Sequence, residues 1–245
     1  MRKNYKELLE KDKMYIWHPY TQMKDYENDY HILIKSAKKF KLYDSENRYY
    51  YDTISSWWCN ILGHNIKEIN AAIIQQLENF EHTLFAGFTN EQAIELAEKL
   101  IKLVNSDEID KVFFSDNGST AVEVALKMSC QYWSNYGKPE KTKFIYLENS
   151  YHGDTIGTMS VSGTAQFFKY YKKICVENYS IPSPYCYRCN SSKSCKYQCL
   201  EPLKKILNDN HNKISGLIIE PLVQCAGGMI VYPAEYLNKL YEIIK

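Results

Sequence analysis

The stretch Lys111–Met128, KVFFSDNGSTAVEVALKM, runs from an apolar segment (Val112, Phe113, Phe114) through small and polar residues at 115–120 directly into a helical pattern. Few folds accommodate that order. A strand that ends at a helix start puts unpaired N–H groups and the positive end of a helix dipole at one edge of a sheet. In open α/β sheets that carboxyl edge is where ligands bind. Gly118 lets an acceptor approach the backbone, and Ser119 and Thr120 add hydroxyls. The stretch therefore reads either as a cradle for an anion such as phosphate or as an ordinary helix cap, because Asn, Ser and Thr cap helices without any ligand. It is not a P-loop, since no Gly-Lys-Ser/Thr follows.

The surrounding chain fits such a sheet. The pattern predicts strands at about 111–115, 143–148 and 214–220 in one mostly parallel sheet. A helix over 119–135 carries Val122, Ala125, Leu126, Ser129 and Trp133 on one stripe, with Gly137 near its end. Residues 4–13 read as a short charged helix. HILIKSAKKFKLYDSENRYYYD reads as strand, strand, turn and strand, with the turn at Asp44–Asn47. Two helices follow, KEINAAIIQQLENF and TNEQAIELAEKLIKLV, the second opened by a capping box of Thr89 and Gln92. Pro233 suits the first turn of a last helix. The expected organisation is α/β, with residues 1–60 belonging to a small α+β lobe. Residues 61–245 then form an incomplete large domain that carries a Cys-rich insertion at about 182–200.

Charge narrows the function. Lys plus Arg number 30 and Asp plus Glu 29, so no basic excess points to nucleic acid. No apolar run approaches the roughly 18 residues of a membrane helix. Met1–Lys13 is charged and lacks the apolar core of a secretory signal, which leads to the expectation of a cytoplasmic protein. In that setting the eight cysteines are thiols or metal ligands rather than disulfides. Four of them, Cys186, Cys189, Cys195 and Cys199, stand at C-x2-C-x5-C-x3-C. They could hold a tetrahedral zinc or remain free in a surface insertion; the second pair departs from the usual two-residue spacing. Four protein ligands would make such a zinc structural, with no open position for water.

Three aromatic motifs are ambiguous by themselves. NSYHGDT (149–155) follows a strand, so Tyr151 could stack on a flat ring and His152 could hydrogen-bond, or the turn could be purely structural. SSWWCN sets Trp57 beside Trp58, as pocket wall or as packing. WHPYTQM is extended before Pro19, and Tyr20 is open to the same two readings.

Taken in order, WHPYTQM, SSWWCNILGHN, FAGFTNEQAIELAEKL, SDNGSTAVEVALKMSCQYW, NSYHGDTIGTMSVSG and IIEPLVQCAGGM resemble the class III, pyridoxal-phosphate-dependent aminotransferases over nearly the whole chain. WHPYTQM and SSWW look most like the adenosylmethionine-8-amino-7-oxononanoate aminotransferase branch, which serves biotin synthesis. The resemblance implies a fold-type I architecture with pyridoxal 5'-phosphate as cofactor. It implies transfer of the amino group of S-adenosylmethionine to 8-amino-7-oxononanoate, giving 7,8-diaminononanoate, in a homodimer with active sites at the subunit interface. It puts Gly118 and Ser119 at the cofactor phosphate and Tyr151 over the cofactor and against substrate. Trp57 borders the substrate and Tyr20 helps recognise it.

The chain departs from the family in one respect. The family's pyridine-pairing aspartate, its cofactor-linking lysine, a partner-subunit threonine and a substrate arginine all lie beyond AEYLNKLYEIIK, so no catalytic residue is assigned here. The expectation is an N-terminal fragment or half of a split enzyme, inactive alone. Rival readings are a class III aminotransferase acting on an ω-amino acid or diamine, and a noncatalytic, zinc-stabilised interaction protein.

Overall fold

The computed structural model describes residues 5–29, 31–189 and 195–245. The chain forms two compact units, Met1–Leu96 and Ala97–Lys245. The first opens with α1 (Tyr5–Tyr15) and the single turn α2 (Met23–Tyr26). An antiparallel sheet follows in the order β1 (Ile34–Lys38), β2 (Lys41–Asp44), β3 (Tyr49–Tyr51). Its β2–β3 turn is held by Asp44, which accepts the Glu46 and Arg48 amides, the Arg48 guanidinium and the Tyr50 hydroxyl. Burial would raise the Asp44 pKa, but these donors outweigh it and the carboxyl lies below its usual range. The expected strand–strand–turn–strand order is thus present, and the turn chemistry explains it.

Next comes one turn, α3 (Ser55–Trp58), left-handed at all four residues, with φ of 51°, 47°, 59° and 70°. Asp52 braces it by accepting the Ser56 amide and hydroxyl, and His64 Nε2 lies 2.8 Å from the same carboxylate. Helices α4 (Lys67–Leu77) and α5 (Glu91–Val104) follow. The cap of α5 differs from the expected Thr89–Gln92 box. Asn90 sits immediately before the helix, and its Oδ1 takes the Ala93 N–H at 2.9 Å. Asn is at least as good a cap as Thr, and the one nearer the helix wins.

In the second unit α6 (Gly118–Asn135) ends where Gly137 adopts φ 72°. Gly137 N–H donates to Ser134 and Lys138 N–H to Trp133, the paired closing bonds of a Schellman end. The later elements are β4 (Lys143–Leu147), α7 (Ile156–Met159), α8 (Ala165–Phe168), β5 (Tyr179–Ile181), α9 (Glu201–Asn210), β6 (Ile214–Leu217), β7 (Val223–Gln224), β8 (Ile230–Val231) and α10 (Ala234–Ile244). Strand β4 is central, parallel to β5 on one side and to β6 on the other. Helix α6 docks on β6 largely through polar contacts: Ser129 Oγ lies 2.7 Å from Ser215 Oγ, and Trp133 Nε1 donates to Ser215 O at 2.7 Å.

The expected strand at 111–115 is not part of this sheet. These residues join no ladder, and Phe113 is 62% exposed. An apolar run becomes a strand only beside a partner strand, and 111–115 is paired with none in the described sheets.

Among the described residues the buried apolar core lies in the second unit. Ile145, Leu147, Ile181 and Ile214 of the sheet pack with Leu200, Leu203, Tyr232, Tyr236 and Leu240. Before Phe144, Asp44 alone is buried among the described residues. Leu147→Ala should therefore cost about 2–5 kcal/mol in urea denaturation, whereas Ile73→Ala on the exposed face of α4 should change stability by no more than about 0.5 kcal/mol. Equal losses would show that the first unit carries a core of its own.

Candidate functional site

The N-terminus of α6 and the loop after β4 meet in the second unit. Asn117 is the N-cap: its Oδ1 accepts Thr120 N–H at 3.0 Å, and Thr120 Oγ1 accepts Asn117 N–H at 3.1 Å. The capping reading of the sequence is therefore realised, and it uses up Thr120. That hydroxyl donates to Asn117 O and receives Ser115 Oγ, so it is not the anion donor suggested by the sequence. The cap does not exclude an anion. Thr120 and Ala121 N–H are bound to Asn117, while the N–H groups of Gly118 and Ser119 have no acceptor among the described residues. Above Gly118 there is open space, since an added Cβ would meet nothing within 4 Å. Two free amides beneath an uncovered glycine fit a phosphate group.

The Ser119 hydroxyl faces the neighbouring loop. It lies 2.9 Å from Thr155 Oγ1 and 3.1 Å from Thr158 Oγ1, and it accepts the Thr155 amide at 3.2 Å. Glu123 on the next turn of α6 accepts the Gly157 amide at 2.8 Å. The loops touch so closely because of Gly153, at φ 131°: a Cβ there would come within 2.3 Å of Ser119 Oγ. Ser119 is thus a loop clamp as well as an amide donor.

Tyr151 sits on this same loop. Its N–H donates to Glu220 Oε1 at 2.9 Å, and Glu220 Oε2 accepts the Cys225 amide at 2.9 Å, so one carboxylate ties the post-β4 loop to the segment after β6. The Tyr151 ring lies 6.3 Å from Phe168, nearly parallel, and 6.3 Å from Phe167, edge-on. Gln224 is fully buried and donates to Glu148 O while accepting from Ser183 Oγ. His152 is anchored through its backbone, whose N–H donates to Ser162 Oγ, while its Nε2 is buried without a partner. Burial lowers its pKa to about 4.

Gly118, Ser119 and Tyr151 are therefore brought to one side of one sheet. Tyr20 and Trp57 lie in the first unit, with ring centroids 5.6 Å apart, edge to face, on residues that both have left-handed backbone. Glu123, Thr155, Thr158 and Glu220 escaped the reading of the sequence. Glu220 had a readable signal, a lone acid closing the apolar run Ile218–Ile219. The threonines had none, because their role depends on a contact 36 and 39 residues away.

The cysteines are all unpaired. Cys199 is half-buried, and burial with the nearby Cys195, Cys186 and Cys189 pushes its thiol up to about 11. Among the described residues, no three His, Cys, Asp or Glu side chains already stand in a metal-holding group. No helix among them is long and apolar enough to cross a membrane.

The aminotransferase class-III family matches residues 22–245. The chain belongs to the class-III aminotransferases. It is 41% identical to the adenosylmethionine-8-amino-7-oxononanoate aminotransferase of Geobacter sulfurreducens, covering 95% of this chain and 52% of that protein. With the protein of the same name from Methanocaldococcus jannaschii it shares 38% identity over 98% of this chain and 54% of the relative. The crystal structure of an aminotransferase of that name from M. jannaschii superposes with a TM-score of 0.88 at 36% identity, over 97% of this chain and 52% of that one. An ω-transaminase from Pseudomonas jessenii, in complex with PMP, gives 0.87 at 29% identity, over 96% and 52%. The chain spans about half the length of the relatives it matches, and its fold is that of fold-type I pyridoxal-phosphate enzymes.

The buried imidazole sets a pH dependence. Above about pH 6.5 His152 is neutral in folded and unfolded chains alike. As pH falls from about 6.5 to about 4, the unfolded chain takes up a proton that the folded chain refuses, so stability falls; below about 4 the effect levels off. It should amount to about 3 kcal/mol. Urea midpoints of His152→Leu should fall less steeply than those of the wild type across that window. Parallel curves would show that the ring is hydrated.

Proposed function

We propose that this chain supplies the phosphate-binding and ring-binding part of an adenosylmethionine-8-amino-7-oxononanoate aminotransferase. The observation that carries the reading is the pair of amides at Gly118 and Ser119 that have no acceptor among the described residues, with open space over Gly118 and with Ser119 tied to the loop that carries Tyr151, in a chain whose relatives bear that name. Pyridoxal phosphate, when bound, supplies the electron sink for moving an amino group. This chain's residues bind and orient. Gly118 and Ser119 N–H hold the phosphate at the positive end of α6, with the charge favoured by the helix dipole. Thr155 and Thr158 fix Ser119, and Glu220 fixes the Tyr151 backbone so that its ring covers the cofactor. Tyr20 and Trp57 recognise the substrates, S-adenosylmethionine as donor and 8-amino-7-oxononanoate as acceptor.

The whole enzyme is a cytoplasmic homodimer in this reading. Eight unpaired thiols favour a reducing compartment, and exposed Trp17, Ile61 and Leu103 favour a covering partner. The chain by itself binds the cofactor weakly and transfers nothing, because no lysine stands in these loops to hold the cofactor covalently. The class III reading with an ω-amino acid or diamine is the rival, since the P. jessenii ω-transaminase matches nearly as well in shape.

The test has two arms. Gly118 occupies the first helical position, where proline is tolerated, and Asn117 before it is extended. Gly118→Pro should leave stability within about 0.5 kcal/mol yet weaken pyridoxal-phosphate binding at least tenfold, with pyridoxal, which lacks the phosphate, unaffected. Equal binding of phosphate and non-phosphate forms would move the anion elsewhere. A fusion to the residues that follow this span in the M. jannaschii relative should aminate 8-amino-7-oxononanoate from S-adenosylmethionine. A folded, cofactor-binding fusion that accepts only ω-amino acids or diamines would establish the rival.

A further inference from the structure

Residues 52–64 form a loop whose two ends are tied to the turn between β1 and β2. Asp52 N–H donates to Phe40 O at 2.9 Å, and His64 and Lys39 exchange both backbone hydrogen bonds. Gly63, at φ 89°, permits that approach, since a Cβ there would stand 2.8 Å from Lys39 O. Between these ends lies α3, which carries Trp57. Left-handed backbone at four successive non-glycine residues is disfavoured, because each Cβ crowds a carbonyl oxygen. Such a turn persists only where its surroundings over-determine it. Packing does not do so here. None of the four residues is buried, and a cavity of about 140 Å³ is lined by Asp52, Ser55, Asn60 and His64.

Hydrogen bonds hold the turn instead, and they converge on Asp52. Its Oδ1 accepts Ser56 N–H at 2.9 Å; its Oδ2 accepts the Ser56 hydroxyl at 2.7 Å and lies 2.8 Å from His64 Nε2. The carboxylate is 5% exposed. The Ser56 hydroxyl and amide, with His64, hold its pKa down to about 2. An ionised carboxylate only accepts, so His64 Nε2 carries the proton it shares with Asp52.

We propose that Asp52, backed by His64, is a positioning residue that aims the Trp57 ring at the substrate. The inference rests on the aminotransferase reading for what that ring touches. Trp57 follows Ser56 directly, so the direction of its Cα–Cβ bond is set by the backbone that Asp52 holds. The ring meets that of Tyr20 at 5.6 Å with 82° between their planes, and both rings are exposed. Together they offer two apolar faces nearly at right angles, which suit the methylene chain of 8-amino-7-oxononanoate. If the turn relaxed to right-handed backbone, the Trp57 ring would swing off Tyr20 and those faces would part. Asp52 touches no substrate in this role; it acts through Ser56 and Trp57.

The first arm of the test needs no substrate. The full chain is labelled with fluorotryptophan, and the fluorine resonance of Trp57 is assigned with Trp57→Phe. Trp133, whose Nε1 donates to Ser215 O in the second unit, serves as reference. Asp52→Ala should shift the Trp57 resonance and leave that of Trp133 in place. Asp52→Asn, which keeps an acceptor for the Ser56 amide, should restore it. An unmoved Trp57 resonance in Asp52→Ala would overturn the proposal. Should that variant lose the Trp133 reference by unfolding, His64→Leu, which removes a single donor, decides in the same way. The second arm uses the fusion with the M. jannaschii residues. There Asp52→Ala should raise the KM for 8-amino-7-oxononanoate at least tenfold while kcat stays within threefold, and Asp52→Asn should recover most of the loss. A fall in kcat with KM unchanged would overturn the role toward substrate. A wild-type fusion that aminates nothing defeats the aminotransferase reading, and the resonances then decide this inference alone.

Discussion

Everything in the second unit depends on β4 being hydrogen-bonded on both edges. Parallel pairing with β5 and β6 fixes the direction in which all three strands end, and therefore the side on which their following loops emerge. Ile145 and Leu147 are buried completely, so the strand cannot shift by one residue without turning those side chains to the wrong face. With β4 pinned, residues 148–158 must leave toward the start of α6. Glu220, after β6, is then in reach of the Tyr151 amide.

The meeting of those loops is polar and tightly fitted. Hydroxyls of Ser119, Thr155 and Thr158 satisfy one another, and Glu123 closes the start of α7. Because Ser119 is tied at its side chain, its amide direction is set by two contacts instead of one. A preformed pair of donors loses little freedom when an anion arrives, which is the physical advantage of a helix start over mobile side chains. The close approach at Gly153 has a cost in tolerance, because positions 119 and 153 cannot both carry larger side chains.

What could be read from the sequence was local. Gly137 as the helix end, the Asp44 turn and the start of α6, expected at Ser119 and found at Gly118, each rest on residues within a few positions of one another. Their chemistry is the same in any fold. The strand at 111–115 was misread because an apolar run specifies burial but not a ladder partner. The α5 cap was misread by one residue because Thr89 and Asn90 are both competent caps. The ordered motifs carried the family correctly. They could not reveal that Thr120 would be spent on Asn117, or that Ser119 would be held from residues 155 and 158, since such contacts exist only once the sheet has brought the loops together.

The uneven distribution of burial also makes this chain a graded clock for solvent exchange. Amides of β4 are bonded on both edges over buried side chains, so deuterium reaches them only when the whole second unit opens. Those of α4 and α5 sit on helices with no buried residue and exchange through fraying that leaves the sheet intact. Two lifetimes, separated by the free energy of the core, thus coexist along one polypeptide.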